Sequence, residues 1–293
     1  MKRIALLLLL LLLLTALPAR AQEVPAEHQD PAAWETVLLI GADNRSKSTE
    51  YGRADAIIVC ALNRHTGALR LLSLTRDMWI QLPDSMAHNR INTAYRFGGP
   101  DRMLKAVNET LGLSIDKYAA VDFPSFCNLI DMLGGVTVEI NRSEALTINK
   151  MVEDGHAGSG AQWLSPAEGG TTLCGVQALS YARIRNLDSD FGRTGRQRKL
   201  LTAILDKVRE KSLTEQIAFV SEALKCVETN LSLADILSLS TIVLAHGLSD
   251  FDQLALPTEG NFRYKSIEGM SVVTFDAEVT LRQAQEFIFG SAQ

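Results

Sequence analysis

The chain lacks most of the signatures that mark hydrolases and metalloproteins. It has no Gly-x-Ser-x-Gly elbow, no His-Glu-x-x-His pair and no glycine-rich loop ending in Gly-Lys-Ser/Thr. Its five histidines (His28, His65, His88, His156 and His246) are scattered and form no base or metal arrangement. The four cysteines (Cys60, Cys127, Cys174 and Cys226) show no Cys-x-x-Cys or Cys/His spacing, which excludes the usual zinc sites. A net positive charge is missing too. A net charge of −5 over 293 residues draws in no polyanion, so a general nucleic-acid partner is not expected. With 46% hydrophobic and 22% charged residues, neither disorder nor repeats are indicated.

A full membrane-spanning run is also missing. Lys2 and Arg3 precede an apolar stretch, Ile4–Leu17, of 14 residues, short of the roughly 20 that cross a bilayer. Pro18 and the small-residue pattern Ala19-Arg20-Ala21 follow. Residues 1–21 therefore read as a cleavable export signal or, alternatively, a short membrane anchor. Residues 22–35 read as a polar linker. Both alternatives put the folded part outside the cytoplasmic membrane. In an oxidising compartment Cys127 and Cys174 are the pair expected to join if a disulfide forms; four buried thiols are the alternative.

What the chain does have is a rim of mixed charge. Val37–Gly41, Ala56–Leu62 and Leu69–Leu74 are aliphatic runs with strand character. The turn-rich Asn63–Gly67 makes the last two an antiparallel hairpin. If the first strand is antiparallel to the second, Asp43, Arg45, Arg53, Asp55, Arg76 and Asp77 converge on one sheet edge. Carboxylates there suit Mg²⁺ and guanidinium forks suit phosphate oxygens. Surface ion pairs at strand ends account for the same residues equally well.

Further on, Asp101–Leu111 and Phe123–Leu133 read as helices, with Tyr118–Val121 and Val136–Ile140 as strands. Arg142–Gly170 has no periodicity and reads as a long loop. Gly175–Ala182 reads as a short helix, leaving Arg183 and Arg185 on one face of an extended segment with Ile184 opposite. The helix carrying Leu200, Leu201, Ile204, Leu205 and Val208 has an apolar stripe that runs back onto Arg193, Arg196 and Gln197. Cations on the inward face near a helix N-terminus are unfavourable unless an anion accompanies them. Pairing with Asp188 and Asp190 is the other reading. After Lys211, two helical patterns (Glu215–Val227 and Leu233–Ala245), strand-like pieces at Gln253–Leu256 and Ser271–Thr274, and a helix at Val279–Phe289 read as scaffold.

Carboxylates and guanidinium groups without a protein nucleophile suit phosphoryl transfer, in which the substrate brings the attacking hydroxyl. The motifs LLIGADNR, GRADAIIVCAL, LLSLTRD, RINTAYRFGG, IDMLGGVTVEI, GVQALSYARIR and GRTGRQRKLL, in that order over about residues 35–210, resemble the LytR-CpsA-Psr (LCP) family. The resemblance implies a three-layer αβα sandwich with a central mixed sheet and an apolar lipid pocket. It implies a catalytic core over residues 36–211, with residues 212–293 completing the same domain. The activity implied is a Mg²⁺-dependent phosphotransfer of an anionic glycopolymer, of teichoic acid or capsule type, from a polyprenyl-pyrophosphate carrier to a peptidoglycan sugar hydroxyl. Membrane surface, lipid-linked polymer and peptidoglycan are the implied partners. By position, Asp43 and Asp55 match the metal-associated aspartates, either of which is also the candidate base. Arg76, Arg183, Arg185 and Arg193 match the pyrophosphate-binding arginines; Gln197 lies beside them, and Arg53 and Arg196 fall in matching motifs. A polyprenyl-pyrophosphate pyrophosphatase and a non-catalytic polymer-binding or regulatory protein are the rival readings.

Overall fold

A computed structural model describes residues 30–290 apart from 45–50, 86, 157, 166–169, 185–186, 188–189 and 247–250. The export segment, Arg45, Arg185 and Asp188 lie outside the described residues. Two compact units emerge, Met1–Asp122 with Val227–Gln293, and Phe123–Cys226.

The first unit is built on a six-stranded mixed sheet. Its strands β1 (Trp34–Ala42), β2 (Ala54–Asn63) and β3 (Leu69–Leu74) form the expected antiparallel meander. The short hairpin strands β4 (Trp79–Gln81) and β5 (His88–Arg90) follow, then helix α1 (Thr93–Leu111) and strand β6 (Tyr118–Asp122), which joins β1 in parallel. Asn63 shapes the β2–β3 turn, its Oδ1 accepting from the N–H groups of His65 and Thr66. Leu38, Ile40, Ile57, Val59 and Leu72 alternate along the strands onto one face. Met103, Leu104, Val107 and Leu111 of α1 bury against that face, confirming the helical stripe. The helix also reaches further back than expected. It begins at Thr93 and breaks at Gly98 and Gly99, where φ of +61° at Gly99 suits glycine.

The second unit contains helix α2 (Phe123–Met132), strand β7 (Val136–Val138), helix α3 (Arg142–Gly155), strand β8 (Thr171–Leu173), and helices α4 (Gly175–Ala182), α5 (Asp190–Arg209) and α6 (Leu213–Cys226). The expected long loop at Arg142–Gly170 is corrected here, because its first half is α3. A reciprocal capping box starts that helix: Glu144 N–H donates to Asn141 Oδ1, and Asn141 N–H to Glu144 Oε2. Ala145, Ile148 and Asn149 then face inward at helical spacing.

The chain returns to the first unit through β9 (Val227–Thr229), antiparallel to β6, and helix α7 (Leu233–His246). Strand β10 (Phe251–Leu256) adds to β3 in parallel. A hairpin of β11 (Phe262–Ile267) and β12 (Met270–Phe275) precedes helix α8 (Ala277–Phe289), whose Ala284 and Ile288 complete the core. The sheet order is β10-β3-β2-β1-β6-β9, so the central mixed sheet and the α/β class are as expected.

All four cysteines are free. Burial, with Asp131 and Cys174 nearby, pushes the Cys127 thiol up to about 11. Burial alone pushes that of Cys60 up to about 12. Thiols so held are protonated at neutral pH and poor nucleophiles.

Candidate functional site

In the sheet unit, pairing register generates the charged rim. The β1–β2 ladder shifts between Gly41 and Ala42, so Ala42 faces Ala54 while Gly41 faces Ala56, and Asp55 sits in the irregularity. Arg76 follows directly beyond β3. Its NH1 donates to Asp55 Oδ1 at 2.5 Å, and both residues are buried. Arg76 Nε also lies 3.5 Å from Asp77 Oδ2. Asp43 and Arg53 are linked through the backbone, the Asp43 N–H donating to the Arg53 carbonyl at 2.8 Å. Asp43 is half-buried and Arg53 exposed. Between them, Gly52 N–H donates to Asn44 Oδ1 at 2.5 Å. A Cβ on Gly52 would collide with the Asp43 carbonyl, so glycine is required for the chain to pass this close.

Two residues join this rim without having been read as site residues. Arg90 Nε lies 3.4 Å from Asp77 Oδ1, and its NH2 donates to the Ser271 carbonyl at 2.7 Å. Asn92 donates its N–H to the Arg76 carbonyl and accepts the Ala54 N–H. Its Oδ1 is buried without a hydrogen-bond partner among the described residues. The motif RINTAYRFGG contains both, but no local pattern ties it to strands β2 and β3.

Asp43, Asp55 and Asn92 offer hard oxygen donors, which suit Mg²⁺. No cluster of three or more His, Cys, Asp or Glu suited to a metal occurs among the described residues. Carboxylate and amide oxygens are the donor types a hard divalent ion takes, and water commonly completes its shell.

The helical unit holds the remaining cations. Arg193 and Arg196, in the first half of α5, are only 2% and 4% exposed. The inward stripe expected for them is thus present, and Gln197 beside them is half-buried. Arg196 NH2 donates to the Ile184 carbonyl at 2.9 Å, and NH1 lies 3.5 Å from Glu144 Oε1. Arg183 closes α4, its guanidinium 4.7 Å from the centre of the Phe123 ring. With φ −107° and ψ 0° it is in a turn, which corrects the extended segment expected there. Ile184 is fully buried, as expected.

The LytR_cpsA_psr family model matches residues 18–286. The chain is 34% identical over 209 residues to the polyisoprenyl-teichoic acid–peptidoglycan teichoic acid transferase TagU of Halalkalibacterium halodurans, covering 70% of this chain and 62% of the relative. It is 30% identical over 228 residues to the transferase TagV of Bacillus subtilis, covering 75% and 56%. The chain thus spans about three-fifths of the length of these relatives. Its fold matches that of B. subtilis TagT, solved with bound octaprenyl pyrophosphate lipid, with a TM-score of 0.65, 24% identity and 92% of each chain covered. The chain belongs to the LytR-CpsA-Psr family.

Proposed function

We propose that this LytR-CpsA-Psr chain is an extracytoplasmic phosphotransferase. It moves an anionic glycopolymer from a polyprenyl-pyrophosphate carrier to a peptidoglycan sugar hydroxyl. The observation that carries the reading is the buried Asp55–Arg76 pair, with Asp43 held at the same bulged end of β1 and β2. A buried guanidinium whose carboxylate partner comes from the adjacent strand is a fixed fork for phosphate oxygens. The transferase names of the relatives support the reaction class.

Asp43 and Asp55 would hold Mg²⁺, which supplies charge neutralisation at the pyrophosphate. Arg76 and the exposed Arg53 in the sheet unit, and Arg183, Arg185, Arg193 and Gln197 in the helical unit, are the candidate ligands of phosphate oxygens. Arg196 braces the Ile184 carbonyl and so orients the arm bearing Arg183. The acceptor oxygen forms a bond to the phosphorus carrying the polymer. The bond from that phosphorus to the bridging oxygen breaks, polyprenyl phosphate leaves, and the hydroxyl proton passes to a carboxylate of the Asp43–Asp55 pair.

A binding face for the lipid tail is supported by the sheet surface opposite the core. There Leu39, Gly41, Ala56, Ala119 and Val121 are apolar, mostly small, and only half-buried although they lie on inner strands. A hydrocarbon chain would remove that surface from water. No helix among the described residues is long and apolar enough to cross a membrane.

The test is to incubate the purified protein with a polyprenyl-pyrophosphate-linked polymer, with and without Mg²⁺ and a peptidoglycan oligomer. Polymer linked to the oligomer only with metal supports the transferase. Polyprenyl phosphate released without linkage favours the pyrophosphatase. Binding without product favours the non-catalytic reading.

A further inference from the structure

The helical unit has a second surface with a different chemistry. A cavity of ≈ 600 Å³ opens beside β8 and α4, with a smaller one of ≈ 260 Å³ next to it. The larger lies within the size range of small-ligand sites, about 300–1,000 Å³. Trp163 and Gln177 line both. Trp163 is 66% exposed, more than any other large hydrophobic side chain described. An indole left in water forgoes its burial energy.

Its neighbours in the chain are firmly held. Asn149 Nδ2 donates to the Leu164 carbonyl at 2.9 Å, and the Leu164 N–H returns to Asn149 Oδ1 at 2.8 Å. On the other side, Gln177 Nε2 donates to the Gln162 carbonyl at 2.7 Å, while Gln177 Oε1 accepts the Cys174 N–H at 2.9 Å. Asn149 and Gln177 are 5% and 4% exposed. Two buried amides, each donating once and accepting once, thus clamp the residues before and after Trp163. The polar groups could be buried without loss only because these bonds form. The backbone on either side of Trp163 is thus held, leaving only two side-chain torsions of the exposed indole to order.

Charge selects the occupant. Asp131, anchored by the Gly175 N–H at 2.7 Å, lines the larger cavity, and Glu153 lines the smaller. Neither cavity has a lysine or arginine among its described lining residues. A phosphate-bearing polymer would meet like charge here, which suppresses binding. A neutral sugar ring instead lays its C–H face on the negative face of the indole and turns its hydroxyls to the carboxylate. We infer that Trp163 and Asp131 form a subsite for a neutral saccharide. Its assignment to the acceptor strand, as opposed to the anionic donor, rests on the proposed transferase reading; the saccharide site itself does not.

The full chain is titrated with the tetramer of N-acetylglucosamine, read by calorimetry and tryptophan fluorescence. Saturable binding is expected, weakened about tenfold in Trp163→Ala. Asn149→Ala, which keeps the indole but removes one clamp, is expected to weaken binding about threefold. Equal affinity in wild type and Trp163→Ala, or no saturation, overturns the site. So does a fluorescence response to anionic phospholipid vesicles in place of the sugar, which would make this a membrane contact. The two readings separate cleanly. Tetramer binding without transfer under any condition leaves the saccharide site standing and removes the transferase. Transfer with the acceptor KM unchanged by Trp163→Ala removes the acceptor assignment.

Discussion

The two units bury guanidinium groups in different ways. In the sheet unit, Arg76 meets Asp55 at 2.5 Å because antiparallel pairing of β2 with β1 and β3 brings their ends to one rim. In the helical unit, Arg196 is as deeply buried; its NH2 donates to the Ile184 carbonyl at 2.9 Å, and its NH1 lies 3.5 Å from Glu144 Oε1. Arg183 rests on an aromatic ring. The first arrangement pairs a cation with a carboxylate across strands, whereas the second includes a backbone carbonyl and a ring face among its contacts. Buried positive charge at the N-terminal half of a helix is opposed by the helix dipole.

The sharpest way to break this comparison is Arg76→Met. It strands the Asp55 carboxylate in the interior and is expected to lower stability by about 3–5 kcal/mol in urea denaturation, with loss of transfer. Adding Asp55→Leu should restore most of the stability and none of the activity. If the double variant stays as unstable as the single one, packing and not charge holds the rim together. Arg196→Met should show a smaller loss, about 2 kcal/mol, since a carbonyl bond and a longer ion pair are at stake. A loss exceeding that of Arg76→Met would reverse the ranking of the two units.

Gly52→Ala acts through backbone approach alone. Relieving the collision with the Asp43 carbonyl should lower stability by about 1–2 kcal/mol, seen in a thermal melt, and reduce turnover by displacing Asp43. The smallest effect concerns what the units share. Helices α6 and α7, one in each, both begin with a Ser-x-x-acid box, Ser212 with Glu215 and Ser232 with Asp235. The Ser212 hydroxyl and N–H hold the Glu215 carboxyl below its ordinary range. A depressed folded-state value stabilises at pH above the unfolded value, and that stability is lost as pH falls through the folded one. The urea midpoint of Glu215→Ala should therefore fall below that of wild type at neutral pH and converge with it on acidification. A gap that widens in acid would contradict this.

Much of the fold could be read locally. The β1–β3 meander, α1, α2, α4, α7 and α8 all carry clear periodicity or turn chemistry. Helix α3 was missed because its apolar stripe is thin, although Asn141 and Glu144 spell out its capping box. Strand β9 was absorbed into the preceding helix, since Val227 continues that helix's apolar pattern and only pairing with β6 makes it a strand. The part played by Arg90 and Asn92 was hidden for the same reason: their partners, Asp77, Ser271 and Arg76, belong to other segments.

The sequence by itself determined the alternating faces of the strands, the inward placement of Arg193 and Arg196, and the family, because these follow from spacing along one chain. The tertiary structure alone decided that Asp55 faces Arg76, that Arg196 braces Ile184, and that Asn149 and Gln177 clamp either side of Trp163. Each of these joins residues far apart in sequence through a hydrogen bond or ion pair a few ångströms long. No local periodicity encodes such a distance; it exists only once the strands and helices have packed.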